Sequence, residues 1–326
     1  MHVTTLAGTN VTTSVLGFGT AQLMARLSRR ESVRLLEAAF DAGITHIDTA
    51  RLYGYGEAER AVGDLLQGRR DRITVATKFG IVPPRRSPVL RTAKAVARVI
   101  TRVHPRMRQR LRAKAATLVS SGLFSPDAAT RSVETSLREL RTDYLDLLLL
   151  HECRVTDLEA AGELRACLDR WVTEGKVRAY GIATDIETVV TARARFPWAA
   201  RVAEFPSDAA NHHVDRVSGG ALITHSPFGT LLRPLADRLA GDPALARRCA
   251  ELTGVECANP RALAGLLLRA ARAANPSGVV VFSSTDPARI RANAEAGVGG
   301  VDGTAADAVR ALLGAVPGGE RSPVRQ

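Results

Sequence analysis

Aromatic side chains make up only 4% of this 326-residue chain, so its interior has to be assembled mainly from Ala, Leu and Val rather than from large rings. Cysteine is also sparse. Cys153, Cys167, Cys249 and Cys257 form no CxxC pair and no metal-type cluster, which argues against a zinc ribbon or a dithiol centre and leaves them as reduced packing residues, with no metal expected. No apolar run approaches the roughly 18 residues of a membrane span, and the start lacks a leader-like pattern. The chain is therefore expected to be cytoplasmic and soluble, with no membrane partner. Gly17 and Gly19 belong to no GxGxxG run, so the Rossmann dinucleotide fingerprint is missing as well.

Acidic residues are absent between Phe79 and Pro126, where eleven Lys or Arg stand. The other 34 basic residues nearly balance the 33 acidic ones, so the net charge of +12 belongs to one segment. Within it, residues 85–116 read as two helical pieces broken at Pro105, with Val89, Ala93, Val96, Ile100 and Val103 spaced along the first. Without aromatic residues or a known binding module, nucleic acid is not the expected partner. A lid or docking surface for an anionic or carrier-bound substrate fits the charge better.

What remains is regular. Residues 3–15 are rich in β-branched side chains around Gly8-Thr-Asn10, the pattern of a hairpin. Apolar strands are then expected at Leu16–Thr20, Ile44–Ile47, Ile73–Thr77, Leu145–Leu150, Val177–Ile182, Arg201–Phe205, Ala221–Thr224 and Val279–Phe282. Helix signals stand between them: Ser28 with Glu31 as a capping box, Ser125-Pro126, Thr156, Asp185, Asp242-Pro243, Asn259-Pro260 and Asp286-Pro287. Eight short strands, apolar throughout and alternating with helices, specify a parallel sheet covered by helices. The expected fold is α/β, a (β/α)8 TIM barrel spanning residues 1–326 as one domain. It carries the N-terminal hairpin, a basic helical insertion over residues 83–125 after the third strand, and a disordered tail over 317–326.

In such a barrel chemistry sits at the C-terminal ends of the strands. Asp48, Lys78 and His151 fall at the ends of three successive strands, and Tyr53 lies on the loop after the first of these. A phenol with a pKa of about 10 is a weak acid at neutral pH. An adjacent ammonium lowers that pKa, and a carboxylate can hold the ammonium in place. Tyr53 is thus the candidate proton donor, Lys78 its tuner, Asp48 the anchor, and His151 a group to orient a substrate carbonyl.

The run Asp48-Thr-Ala-Arg-Leu-Tyr53-Gly-Tyr-Gly-Glu57-Ala-Glu59 with Gly63, then Ala76-Thr-Lys78, then Ser136 through His151, resembles the aldo-keto reductase family. The resemblance covers nearly the whole chain apart from the basic segment and the last 20 or so residues. It implies that Asp48, Tyr53, Lys78 and His151 are a catalytic tetrad, and that the reaction is hydride transfer between NADPH (NADP+) and a small carbonyl or alcohol. It also implies cofactor contacts at Gly19, Thr20, Asp48 and the segment His225-Ser226-Pro227-Phe228-Gly229.

The motif Ser283-Ser284-Thr285 through Arg289 and Asn293 resembles the family's adenine-end site, where Ser284, Arg289 and the helix N-terminus would favour a 2′-phosphate. At the nicotinamide end the family's usual Ser-Asn pair is replaced by Ala183 and Thr184, its usual glutamine by Glu204, and its stacking ring by His225. These departures motivate an alternative: a non-redox enzyme or a cofactor-binding regulatory protein on the same scaffold.

Overall fold

The computed structural model of the chain describes residues 1–23, 27–82, 121–211, 213–299 and 304–314. Nearly all of the basic insertion and the whole of the expected tail lie outside these residues. Strands β1 (Val3–Thr5) and β2 (Thr12–Ser14) pair antiparallel as the expected hairpin. Leu6 and Val11 beside its turn are buried with the side chains that fill the barrel interior. The hairpin thereby closes one mouth of the barrel.

The eight following strands close into a parallel barrel: β3 (Leu16–Gly19), β4 (His46–Asp48), β5 (Thr74–Phe79), β6 (Leu145–His151), β7 (Val177–Ala183), β8 (Val202–Pro206), β9 (Ala221–His225) and β10 (Val279–Phe282). They pair in chain order, and β10 pairs back onto β3. Every residue of β6 is buried, which explains why Leu147 to Leu150 read as a continuous apolar run. Leu147 and Leu149 pack inside the barrel with Ala76, Ala179 and Ile223, whereas Leu148 and Leu150 pack against the surrounding helices. Space inside is tight. A Cβ on Gly17 would stand 2.8 Å from both His46 and Val281.

Apart from the one at Thr156, the helices with cap signals start where those caps predict. In α1 (Arg29–Asp41) the Ser28 backbone N–H donates to Glu31 at 2.7 Å, while the Ser28 hydroxyl accepts from the Glu31 N–H at 3.3 Å. Helix α2 (Glu57–Leu66) lies so close to α3 (Pro126–Leu140) that a Cβ on Gly63 would meet Glu139 O at 2.5 Å. Ser125 caps α3.

One helix differs from expectation. In place of a single helix from Thr156 to Gly175 there are α4 (Val155–Glu159) and α5 (Gly162–Thr173). The Arg154 N–H donates to Asp157 at 2.8 Å, so Thr156 lies inside α4 rather than capping it. Gly162, a weak helix former, follows the break, which leaves Leu158, Ala161 and Leu164 all buried.

Helices α6 (Ile186–Arg195), α7 (Leu232–Gly241), α8 (Pro243–Thr253), α9 (Pro260–Ala274), α10 (Pro287–Val298) and α11 (Thr304–Gly314) complete the layer. Asp185, Asp242, Asn259 and Asp286 cap α6, α8, α9 and α10.

The expectation of four unpaired cysteines is corrected for two of them. Cys249 of α8 is bonded to Cys257, eight residues on and just before α9, whereas Cys153 and Cys167 are free and buried. Local folding explains it: α8 ends in a left-handed Gly254, and the turn brings the two Cα atoms to 6.1 Å. Among the described residues no helix is long and apolar enough to cross a membrane.

Candidate active site

The end of β4 and the loop after it supply the first two groups. Asp48 is the last residue of β4 and is buried. The chain then turns through Gly54, Tyr55 and Gly56, with φ of 59°, 61° and 81°. Three successive left-handed residues account for the glycines flanking Tyr55. The turn is tied down from outside, because buried Glu59 accepts from Thr77 Oγ1 at 2.8 Å and pairs with Arg51 at 3.8 Å. Strand β5 runs two residues beyond expectation, so Lys78 lies within it with its side chain 1% exposed.

These elements bring the four expected groups together. The Lys78 ammonium donates to Asp48 and, at 3.3 Å, to Thr49 O. It stands 5.4 Å from the centroid of the Tyr53 ring. The rings of Tyr53 and His151 meet edge to face with centroids 5.9 Å apart. Lys78 also pairs with Glu204 Oε1 at 3.2 Å. A spacing argument along the chain does not reveal this contact, because Glu204 is on β8, three strands away around the barrel.

Burial dominates the electrostatics. It pushes the Asp48 carboxyl up to about 6, with Glu204 adding to the shift and Lys78 opposing it. Burial opposes the Lys78 charge too, yet Asp48 and Glu204 together hold the ammonium above the usual lysine range. Tyr53 differs from expectation. Lys78 does pull its pKa down, but burial outweighs that pull and the two carboxylates reinforce burial, so the phenol is held above its ordinary range and protonated. His151 falls to about 3 and His225 to about 4, chiefly through burial, and both are neutral at pH 7.

Two cavities open at this end of the barrel. A recess of about 860 Å³ is lined by Tyr53, Lys78, His151, Ala183, Thr184, Glu204 and His225 among others. A second, of about 610 Å³, is lined by Phe228, Ser283, Ser284, Thr285, Arg289 and Asn293. The segment His225 to Gly229 runs from one to the other, and Phe228 packs against Phe282 with ring centroids 6.5 Å apart.

Not every expected cofactor residue reaches a cavity wall. Gly19, Thr20 and Asp48 are buried behind it, where the Thr20 hydroxyl donates to Thr49 at 2.9 Å. Ser226, Pro227 and Gly229 line neither cavity. Ser226 instead bonds the His225 ring at 2.9 Å. Thr184 donates to Cys153 O at 2.9 Å, Ser284 accepts from the Asp286 N–H at 3.2 Å, and Arg289 pairs with Asp286 at 3.3 Å.

Conversely, Gln22, Leu232, Asn259 and Arg261 line the second cavity. The sequence marks Asn259-Pro260 as a helix start but not as part of a site. Only the packing shows that the start of α9 faces the start of α10 across one cavity.

The Aldo/keto reductase family profile matches residues 15–214. This chain belongs to that family. It is 30% identical over 206 residues to "Aldo-keto reductase YhdN" of Bacillus subtilis (strain 168), a match covering 60% of this chain and 51% of that protein. It is 27% identical over 290 residues to "6-dehydroglucose reductase" of Novosphingobium aromaticivorans, covering 82% of this chain and 80% of that one. The chain thus spans about half the length of the first of these relatives and four fifths of the second. Among solved structures, an aldo-keto reductase from Klebsiella pneumoniae in complex with NADPH superposes with a TM-score of 0.65, at 22% identity, over 95% of this chain and 94% of that one. That likeness shows the shared barrel.

Proposed function

We propose that this aldo-keto reductase family member is an NADPH-dependent oxidoreductase, reducing an aldehyde or ketone or oxidising the matching alcohol, with Tyr53 as proton donor. The observation that carries the reading is the buried Lys78, held by Asp48 and beside the Tyr53 ring, with His151 edge to face against that ring. The relatives, which include a 6-dehydroglucose reductase, and a barrel neighbour in complex with NADPH support the same reading.

The cavities suit such a cofactor. Asn259, Arg261, Ser283, Thr285, Arg289 and Asn293 surround the smaller one, where the N-termini of α9 and α10 provide partial positive charge for a phosphate. In the recess, Glu204 and His225 would hold the nicotinamide end, with Thr184 beside them on the wall. The bound cofactor supplies or accepts hydride. The chain's own residues do the rest. Tyr53, kept protonated by burial, holds the proton for a nascent alkoxide. Neutral His151 can donate a hydrogen bond to the carbonyl oxygen and orient it. Lys78 places positive charge beside the phenol and stabilises the phenolate left behind. An anionic or carrier-bound substrate is part of this proposal, since the basic segment follows β5 just past Lys78.

The Tyr53→Phe variant is expected to retain its circular dichroism spectrum and lose turnover; full activity would remove Tyr53 from the mechanism. A second reading, a non-redox role, is favoured by one observation, namely that the Thr184 hydroxyl is occupied by Cys153 O. Titration of the purified chain with NADPH, followed by nicotinamide fluorescence, separates the two readings, because absence of binding would sink the redox one.

A further inference from the structure

Lys78 has more negative charge around it than its own neutralisation needs. Asp48 and Thr49 O already accept from the ammonium, and Glu204 adds a second carboxylate at 3.2 Å, 4% exposed at its side chain. The other carboxylate oxygen, Glu204 Oε2, is buried and has no hydrogen-bond partner among the described residues. Taking a carboxylate out of water and leaving one of its oxygens unpaired is costly. A glutamine of the same shape would give Lys78 the same oxygen without the cost of burying a charge. The second oxygen of Glu204 is therefore left to act on a group other than Lys78.

Among the described residues that line the recess with Glu204, Arg154 is a cation, but its backbone N–H bonds Asp157 and no ion pair joins it to Glu204. His151 and His225 share the recess and are neutral at pH 7, and Tyr53 is an uncharged phenol. On formal charges Glu204 and Lys78 of the recess wall and Asp48 behind it sum to one net negative charge. The oxidised nicotinamide ring is a cation, whereas the reduced ring is neutral. A fixed anion in a buried recess distinguishes the two by a direct Coulomb term that water screens poorly.

Building on the NADP(H) reading above, we propose that Glu204 sets the relative affinity of this site for the two cofactor forms, its carboxylate favouring the cationic nicotinamide of NADP+. In the reductive direction the same charge stabilises the ring as positive charge develops on it, and it slows departure of the oxidised cofactor. Glu204 is thus a charge-setting residue, distinct from the proton donor Tyr53.

The test is calorimetric titration of the purified full chain with NADP+ and with NADPH, in wild type, Glu204→Gln and Glu204→Asp. In the glutamine variant the ratio Kd(NADP+)/Kd(NADPH) is expected to rise about 10-fold or more. The aspartate variant, which keeps the charge, should stay near the wild-type ratio. An unchanged ratio in Glu204→Gln, or equal weakening of both cofactors, would overturn the proposal and leave Glu204 a structural partner of Lys78. Should the glutamine variant fail to fold, the wild type still decides: it should bind NADP+ at least as tightly as NADPH, and a preference of about 10-fold or more for NADPH would count against the inference. If the wild type binds neither form, the functional reading beneath the proposal fails, an outcome distinct from a ratio that does not move.

Discussion

The rings of Tyr53 and His151 meet at 88°, edge to face, at the mouth of the barrel. One ring comes from the loop after β4 and the other from the last residue of β6, so neither can shift without disturbing the other. The contact orients both polar tips in a recess where His151 is neutral and Tyr53 is a phenol rather than a phenolate.

This arrangement predicts what removing the imidazole does. Leucine in place of His151 fills much of the volume but removes the hydrogen-bond donor. Reductase activity in His151→Leu should fall by about 100-fold or more, with the thermal unfolding midpoint little changed. A steady-state assay beside a melting curve checks both halves. Unaltered kcat/KM would take His151 out of the site.

The acid limb of the rate profile should belong to Asp48. Its carboxyl sits at about 6, so the ion pair with Lys78 is intact above that pH and is lost as pH falls through it. Log kcat/KM is therefore expected to decline below about pH 6. In Glu204→Gln the like charge is gone, Asp48 ionises more easily, and the limb should move to lower pH. A limb that stays in place would show that Glu204 and Asp48 are not coupled.

Asp146 offers a stability test remote from the chemistry. Its side chain is 1% exposed and accepts from Arg70 at 2.8 Å, the Val75 N–H at 2.9 Å and Arg178 at 2.9 Å, tying β5, β6 and β7 together. Both guanidiniums also stack on Tyr144, at 3.7 and 4.6 Å from the ring centroid. Asp146→Ala leaves Arg70 and the Val75 N–H without this partner, and should cost about 3 kcal/mol. Urea denaturation checks it; a loss under about 1 kcal/mol would mean that solvent replaces the carboxylate.

Much of this molecule is readable from the chain alone, because the signals are local. Apolar runs such as Leu147 to Leu150 bury both faces of a strand only in a sheet covered on both sides. Caps such as Ser28, Asp185 and Asn259 start helices by bonding N–H groups two or three residues on. Asp48, Lys78 and His151 sit on adjacent strands, so their convergence follows from strand order. What needed the tertiary structure is what closure of the barrel brings from farther away. Glu204 reaches Lys78 from three strands off, α9 comes to face α10 across one cavity, and Cys249 meets Cys257 only because Gly254 turns the chain. Even the Tyr53 loop, a motif in the sequence, takes its acidity from tertiary structure. A neighbouring lysine predicts a lowered phenol pKa, and burial, a property of the folded surround, reverses the sign.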